Sequence, residues 1–264
     1  MLTFAVTFIR HGETEFNKQK MLQGQGIDSA LSDIGLQQGR EAGEYLREVH
    51  FHKAYSSNMQ RAKQTAQVIL SSNVHSSGIE LLLDDSLKER SFGVVEGKHK
   101  DMLKNLANAA GIAARDFTPP GGETADEVRV RFRKFLARLF QDMVAQYGYP
   151  EAPASASADP TAATVQHDGP PINLPDDGLS GVPLHVLVVS HGAYIRVAVQ
   201  HLVDDLHSTV PAGLKPAQLY AACPNTGINR FVISLQGGET GPTVAGVRCI
   251  FVNRKDHLSA SKET

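Results

Sequence analysis

Two histidines occupy matching positions in the sequence. The apolar run 6–9 is followed by Arg-His-Gly and the apolar run 186–189 by Ser-His-Gly, so His11 and His191 each follow a predicted buried strand. Residues just beyond the carboxyl ends of parallel strands line the ligand crevice of an open α/β sheet. One such histidine more often makes a core hydrogen bond. The matched pair favours a functional site.

Side chains suited to binding an anion occur near the same predicted edge. Arg10 precedes His11, and Arg61 lies at the predicted start of a helix that follows a strand, where free backbone N–H groups attract anions. A guanidinium can donate two hydrogen bonds to one phosphate, and Asn17 can add an amide donor. Arg61 alone would more often lie on a solvated helix face, so the hypothesis depends on the whole group.

One carboxyl group completes the candidate site. Glu89 lies in the segment 87–97, which contains two glutamates and two glycines and is predicted to be a loop. This loop has two interpretations: it is a solvated turn, or it holds Glu89 beside a bound phosphate whose negative charge keeps the carboxyl group protonated. A general acid in that place typically contributes ~10²–10⁴ in rate.

The elements around these residues alternate between strands and helices. Strands are predicted at 2–9, 53–56, 79–83, 184–189, 230–235 and 247–252. Helices are predicted from about residue 33 with Ser32 as N-cap, over 60–70, from the capping box Thr124-Ala125-Asp126-Glu127, and after residue 192. This alternation predicts a three-layer α/β/α fold with a mostly parallel central sheet.

The chain of 264 residues reads as a single domain with one insertion. Seven of its 13 prolines lie in the segment 148–183, together with many Ala, Ser, Gly and Asp residues. This composition predicts a disordered insertion at about 148–183, because the segment has too few apolar side chains to form a core. No second core is evident, so residues 1–264 are predicted to form one domain.

Composition excludes several classes of protein. The net charge of -2 provides no field that would attract nucleic acid or anionic lipid. Two cysteines without a C-x-x-C pair argue against a disulfide framework and a cysteine-built zinc site. No apolar run approaches the roughly 20 residues of a membrane span. These features predict a cytoplasmic protein with no membrane insertion and no nucleic-acid partner.

A family resemblance rests on six segments in order. Residues 10–17, Arg-His-Gly-Glu-Thr-Glu-Phe-Asn, match the R-H-G-x-T-x-x-N signature of the histidine phosphatase superfamily, which includes the phosphoglycerate mutases. Five further segments resemble the family: 31–35, 56–66, 89–97, 121–124 and 190–192. The resemblance implies a phosphoglycerate mutase-like fold and a phosphohydrolase that needs no metal or other cofactor.

The resemblance also implies a role for each candidate residue. His11 would be the nucleophile and would carry the phosphoryl group. Arg10, Arg61 and His191 would surround the transferring phosphate and stabilise its charge. Glu89 would protonate the leaving oxygen and then help to remove a proton from the attacking water.

The substrate is implied by a finer resemblance. The segments 89–97 and 22–26 are more similar to the fructose-2,6-bisphosphatase branch of the family than to the mutase branch. The implied substrate is fructose 2,6-bisphosphate, bound in part by Asn17, Gln23 and Gly24, and the implied consequence is lower glycolytic flux. Nuclear and mitochondrial locations besides the cytoplasm also follow from the resemblance alone.

Four alternatives stay open from the sequence. The chain could mainly hydrolyse 2,3-bisphosphoglycerate or other small phosphate esters. It could be a phosphoglycerate mutase, which shares every catalytic residue and differs in the acceptor. It could be a catalytically quiet scaffold on the same fold, since fold does not establish function. A metallohydrolase is disfavoured because no metal-ligand spacing such as H-E-x-x-H occurs.

Overall fold

A six-stranded sheet forms the centre of the described part of the protein. The computed structural model of the chain describes residues 1–149 and 177–258. The strands follow the order β3-β2-β4-β1-β5-β6 across the sheet. Strands β1 to β4 are parallel, whereas β5 runs antiparallel to both β1 and β6. The mostly parallel sheet predicted from the sequence is confirmed. Its strands are β1 (Leu2–Arg10), β2 (Lys53–Ser56), β3 (Leu81–Leu83), β4 (Leu184–Ser190), β5 (Ile228–Gly238) and β6 (Gly241–Arg254).

Helices cover both faces of this sheet, as the alternating pattern predicts. On β1, Phe4, Val6 and Phe8 belong to a core shared with the helices at 125–147 and 192–200, whereas Ile9 belongs to a second core shared with the helices at 33–45 and 60–72. This division follows from the period of two in a strand, which sends successive side chains to opposite faces. The helices are α1 (Glu15–Lys18), α2 (Asp33–Tyr45), α3 (Gln60–Ser72), α4 (Lys100–Ala109), α5 (Ala125–Tyr147), α6 (Gly192–Gln200) and α7 (Pro216–Leu219).

The predicted helix starts agree with the capping contacts. The Ser32 hydroxyl accepts a hydrogen bond from the Gly35 N–H at 3.1 Å at the start of α2. At the start of α5, Thr124 and Glu127 form the predicted capping box, with each side chain accepting from the other residue's N–H. Each cap satisfies N–H groups that the first turn of a helix leaves without partners.

The order of the strands brings the two histidines together. Strands β1 and β4 are neighbours, and Arg10 pairs with Ser190 in their parallel register. His11 and His191 therefore leave adjacent strands at the same edge. The His11 N–H donates to the Ser190 carbonyl at 3.0 Å, which holds the two chain segments together beyond the last pair of the ladder.

The predicted insertion at 148–183 lies mostly outside the described residues, which resume at Asp177. There the Arg230 guanidinium donates to the Asp177 carbonyl at 2.8 Å and pairs with its carboxylate at 3.2 Å. Within the described residues, the chain thus contacts the sheet at Asp177, ahead of the predicted end of the insertion at residue 183. Within 1–149 and 177–258, no helix is long and apolar enough to cross a membrane.

Candidate active site

A cavity of about 270 Å³ opens where β1 and β4 end. Its wall contains seven of the eight side chains or backbone positions predicted from the sequence, namely Arg10, His11, Asn17, Gln23, Gly24, Arg61 and Glu89. The eighth, His191, is fully buried and is not part of the wall. The structure therefore gathers the predicted residues but places one histidine behind the surface.

His11 is held in the tautomer that a nucleophile requires. Its Nδ1 lies 2.7 Å from the Gly12 carbonyl oxygen. A carbonyl oxygen only accepts hydrogen bonds, so Nδ1 carries the proton and Nε2 carries the lone pair. Burial, with added repulsion from Arg61 and Arg10, lowers the pKa of His11 well below 6.5. At neutral pH the imidazole is uncharged and its Nε2 is free to attack.

Thr65 fixes the peptide that orients this ring. The Gly12 N–H donates to the Thr65 hydroxyl at 3.0 Å, and that hydroxyl donates to the Arg61 carbonyl at 2.8 Å. Gly12 also lies so close to α2 that a Cβ added there would be 2.4 Å from the Gly35 carbonyl oxygen. The glycine after His11 thus permits close packing against a helix.

His191 packs against the nucleophile. The ring centroids of His191 and His11 are 5.1 Å apart in an edge-to-face arrangement. The His191 Nε2 lies 2.9 Å from the Ser57 hydroxyl, while its Nδ1 is buried without a hydrogen-bond partner among the described residues. Burial, followed by repulsion from Arg61, lowers the pKa of His191 well below 6.5. The two histidines are edge-to-face neighbours and do not face each other across the cavity.

Arg61 is a buried cation directed at the site. It lies in the first turn of α3, as predicted, but only 1% of it is exposed, so the solvated-face alternative is wrong. Its guanidinium donates to the carbonyls of Ile27 at 2.9 Å and Gly24 at 3.0 Å, and its Nε has no partner in the described part of the chain. Burial lowers the pKa of Arg61 to about 10, which leaves it charged at neutral pH.

Arg10 supplies the second cation beside His11. Its Nη1 donates to the Cys223 carbonyl at 2.8 Å, and its buried Nε likewise has no described partner. A Cβ added at Gly192 would lie 3.3 Å from that Nε, so glycine after the second histidine leaves room for this guanidinium. Two arginines with unpartnered donors next to a neutral imidazole form an anion site.

Glu89 lies at the start of α6. Its Oε1 accepts from the backbone N–H groups of Arg90 at 2.8 Å and Tyr194 at 3.0 Å, and its Oε2 accepts from Ala193 at 3.2 Å. The positive end of a helix and three N–H donors hold this carboxyl group at the cavity wall. Glu89 is thus an ordered residue of the site, and the solvated-turn alternative is wrong.

The remaining predicted residues line the cavity on the side of the 22–26 loop. The Asn17 Oδ1 accepts from Asn225 at 3.2 Å, which leaves its Nδ2 as a donor for the cavity. Gln23 is held by Thr14, to which its Nε2 donates at 2.9 Å. Gly24 has φ of +58°, and a Cβ there would lie 1.9 Å from the Glu96 Oε1, so this position excludes side chains.

Three arginines in the wall were missed in the sequence, namely Arg90, Arg115 and Arg196. The sequence held a signal for two of them: Arg90 follows Glu89 directly, and Arg196 lies one helical turn after the His-Gly step. Between residues 1–149 and 177–258, no cluster of three or more His, Cys, Asp or Glu residues is suited to a metal ion. Five arginines, Arg10 and Arg61 among them, supply positive charge to the wall of this site.

Comparison with known proteins identifies the family. The family model of the histidine phosphatase superfamily (branch 1) matches residues 6–146. The chain belongs to the histidine phosphatase superfamily. It is 50% identical over all 264 residues, and over the full length of the relative, to fructose-2,6-bisphosphatase TIGAR B of Danio rerio. It is 40% identical to fructose-2,6-bisphosphatase TIGAR of Xenopus tropicalis, over 98% of this chain and 96% of the relative.

The same fold occurs in solved structures of this superfamily. A phosphoglycerate mutase from Bacillus anthracis superposes with a TM-score of 0.65 over 99% of this chain and 98% of that one, at 20% identity. The predicted phosphoglycerate mutase-like fold is confirmed. Membership in the histidine phosphatase superfamily makes a small phosphorylated compound the class of substrate and phosphohydrolysis the class of reaction.

Proposed function

We propose that this protein hydrolyses fructose 2,6-bisphosphate to fructose 6-phosphate and phosphate through a phosphohistidine at His11. The observation that carries the proposal is a neutral histidine with a free Nε2 between two arginines, in a cavity with further arginines. The relatives at 40–50% identity over nearly the full length are named as fructose-2,6-bisphosphatases.

The first step transfers the phosphoryl group to the enzyme. The His11 Nε2 attacks the phosphorus of the 2-phosphate, and the bond from phosphorus to the sugar oxygen breaks. Arg10 and Arg61 stabilise the charge on the phosphoryl oxygens. Glu89 gives its proton to the leaving oxygen. Its Oε2 is the oxygen with more capacity to pass a proton, since it accepts one backbone hydrogen bond whereas Oε1 accepts two.

The second step hydrolyses the phosphohistidine. Water attacks phosphorus, the bond between phosphorus and Nε2 breaks, and Glu89 takes a proton from the water. His11 returns to its neutral state with its Nδ1 proton still donated to the Gly12 carbonyl. We assign His191 to charge stabilisation, since its ring contacts His11 and its Nδ1 has no other partner among the described residues.

The charge of the cavity wall favours a substrate with two phosphates. Five arginines line it, and Glu89, the one acidic side chain of the wall, is uncharged when it serves as the acid, so the wall carries four to five positive charges in excess. A phosphate group carries about -1.5 to -2 at pH 7, so a bisphosphate balances this wall and a monophosphate does not. Once Arg10 and Arg61 hold the first phosphate, three arginines of the wall remain for the second, namely Arg90, Arg115 and Arg196.

A substrate panel tests this proposal. Purified protein is given fructose 2,6-bisphosphate, fructose 2-phosphate, 2,3-bisphosphoglycerate and 3-phosphoglycerate, and released phosphate is measured. We expect fructose 2,6-bisphosphate to have the highest kcat/KM. Arg196→Gln should lower kcat/KM for the bisphosphate about 10-fold or more and leave the 2-phosphate nearly unchanged. Arg40→Gln, an exposed arginine on α2, is the matched control.

Other results of the same panel would contradict the proposal. Higher activity on 2,3-bisphosphoglycerate would reassign the substrate, and phosphoryl transfer to a second metabolite without free phosphate would indicate a mutase. Activity on no ester would support the scaffold alternative. We further propose a cytoplasmic location without nucleic-acid or membrane partners, which imaging of a fluorescent fusion in intact cells would test.

A further inference from the structure

An arginine–glutamate pair lies outside the cavity wall but directly next to the loop that carries Glu89. On α5, the Arg131 guanidinium donates through Nε to the Glu123 Oε1 at 2.8 Å and through Nη2 to its Oε2 at 2.9 Å. Both side chains are about one-fifth exposed. A bidentate and largely buried pair of this kind fixes the position and the plane of the guanidinium.

The other donors of Arg131 are directed at the backbone that precedes Glu89. Arg131 donates to the carbonyls of Ser86 at 2.7 Å, Lys88 at 3.1 Å and Glu89 itself at 3.3 Å. Its guanidinium also stacks 5.4 Å from the ring centre of Tyr194, whose N–H holds the Glu89 Oε1. Arg131 thus contacts the main chain of the acid and a residue that holds its side chain.

Glu123 secures the chain that follows Glu89. Its Oε2 accepts from the Ser91 N–H at 2.9 Å and from the Gln25 Nε2 at 2.8 Å. Gln25 in turn donates to the Glu89 carbonyl at 2.8 Å. The loop is therefore tied on both sides of Glu89, by Arg131 before it and by Glu123 after it. Glu123 belongs to the Gly-Gly-Glu-Thr segment, to which the reaction steps above assign no role.

We propose that Arg131 and Glu123 form a positioning pair that holds Glu89 in the place required for proton transfer. The inference rests on the proposed role of Glu89 as the acid. Arg131 and Glu123 do not line the cavity, so they act on the reaction through Glu89 and not through the substrate. Displacement of a catalytic group by about 1 Å can lower the rate ~10²-fold, and the four hydrogen bonds from the side chains of this pair to residues 86–91 resist such a displacement.

The test uses the leaving-group dependence of kcat/KM. Protonation by Glu89 matters for a sugar alkoxide and matters little for p-nitrophenolate, which is a good leaving group. We expect Arg131→Met to lower kcat/KM for fructose 2,6-bisphosphate by ~10- to 100-fold, and for p-nitrophenyl phosphate by less than ~3-fold. Glu123→Gln, which keeps the shape and removes the charge, should show the same pattern more weakly.

Controls separate positioning from folding. Arg129→Met removes an arginine of the same helix that pairs with Asp126 and Asp205 and lies away from the cavity, so it should leave both substrates unaffected. The fraction of folded protein in each sample is measured by circular dichroism and thermal unfolding, and kcat/KM is divided by it. A variant that is merely partly unfolded would lose kcat/KM equally for both substrates. Its kcat/KM per folded molecule would then be normal.

A double mutant completes the test. If Arg131 acts through Glu89, Arg131→Met should add little to the loss already caused by Glu89→Gln. An equal loss of kcat/KM for both substrates after correction for folded protein would overturn the positioning role. So would losses of kcat/KM that multiply in the double mutant. If Glu89→Gln alone shows no leaving-group dependence, the acid role fails instead. If Glu89→Gln shows it and Arg131→Met does not, only the positioning pair is refuted.

Discussion

The replacement Thr65→Val probes the hydrogen bond that orients the nucleophile. Thr65 is fully buried, and valine has nearly its shape but no hydroxyl. In the variant the Gly12 N–H loses its acceptor, while the Arg61 carbonyl keeps the backbone partner that a helix provides. Because Gly12 also holds the His11 Nδ1 proton, a shift of its backbone moves the nucleophile.

The size of the effect follows from one buried N–H group left without a partner. Such a group lowers the free energy of unfolding by about 1–3 kcal/mol. Each 1 kcal/mol lowers Tm by about 2–4 °C in a domain of this size. We therefore expect Tm to fall by about 2–12 °C. Misplacement of the imidazole should also lower the rate of phosphohistidine formation at least ~10-fold.

Thr65→Ser is the matched control, because it keeps the hydroxyl and removes one buried methyl group. That methyl group contributes about 1 kcal/mol, so both variants lose stability. Only Thr65→Val should lose catalysis, measured by rapid quench with labelled substrate and by thermal unfolding of the same samples. A normal rate in Thr65→Val, or an equal loss of rate in Thr65→Ser, would refute the orienting role of this hydrogen bond.

Two further predictions concern metal and pH. Activity should persist in EDTA, since arginines supply the positive charge of the wall; loss on chelation that a divalent ion reverses would contradict this. Burial, aided by nearby arginines, lowers the pKa of His11, His185 and His191 below the unfolded value of 6.5, so only the unfolded chain gains these protons just below pH 6.5. These three histidines should contribute their full stabilisation above pH 6.5, and below it their loss should lower the free energy of unfolding by about 4 kcal/mol per pH unit; urea unfolding that is unchanged from pH 7 to 5 would count against it.

The sequence was most informative where one local rule decides the outcome. His11 and His191 could be placed together because parallel strands bring their carboxyl ends to one edge. The helix starts at Ser32 and Thr124 follow from capping chemistry within four residues. Strand period and helix caps are set by neighbours in the chain, so no tertiary contact was needed to predict them.

Contacts between distant segments could not be predicted in the same way. The orienting bond from Gly12 to Thr65 spans 53 residues, and the bond from Arg131 to the Glu89 carbonyl spans 42. No spacing rule links such positions. The burial of His191 behind His11 also depends on a side-chain direction beyond the end of a strand, where the period of two no longer applies.

Trapping of the phosphoenzyme tests the central role of His11 most directly. Glu89→Gln should slow hydrolysis more than phosphoryl transfer from p-nitrophenyl phosphate, so the variant should accumulate labelled enzyme that the unmodified protein does not. Rapid quench and peptide mapping would locate the label. The expected result is an acid-labile, base-stable phosphohistidine in the peptide that contains His11, and its absence from His11→Ala. Label on a serine or on His191, or appreciable turnover by His11→Ala, would contradict the assignment of the nucleophile.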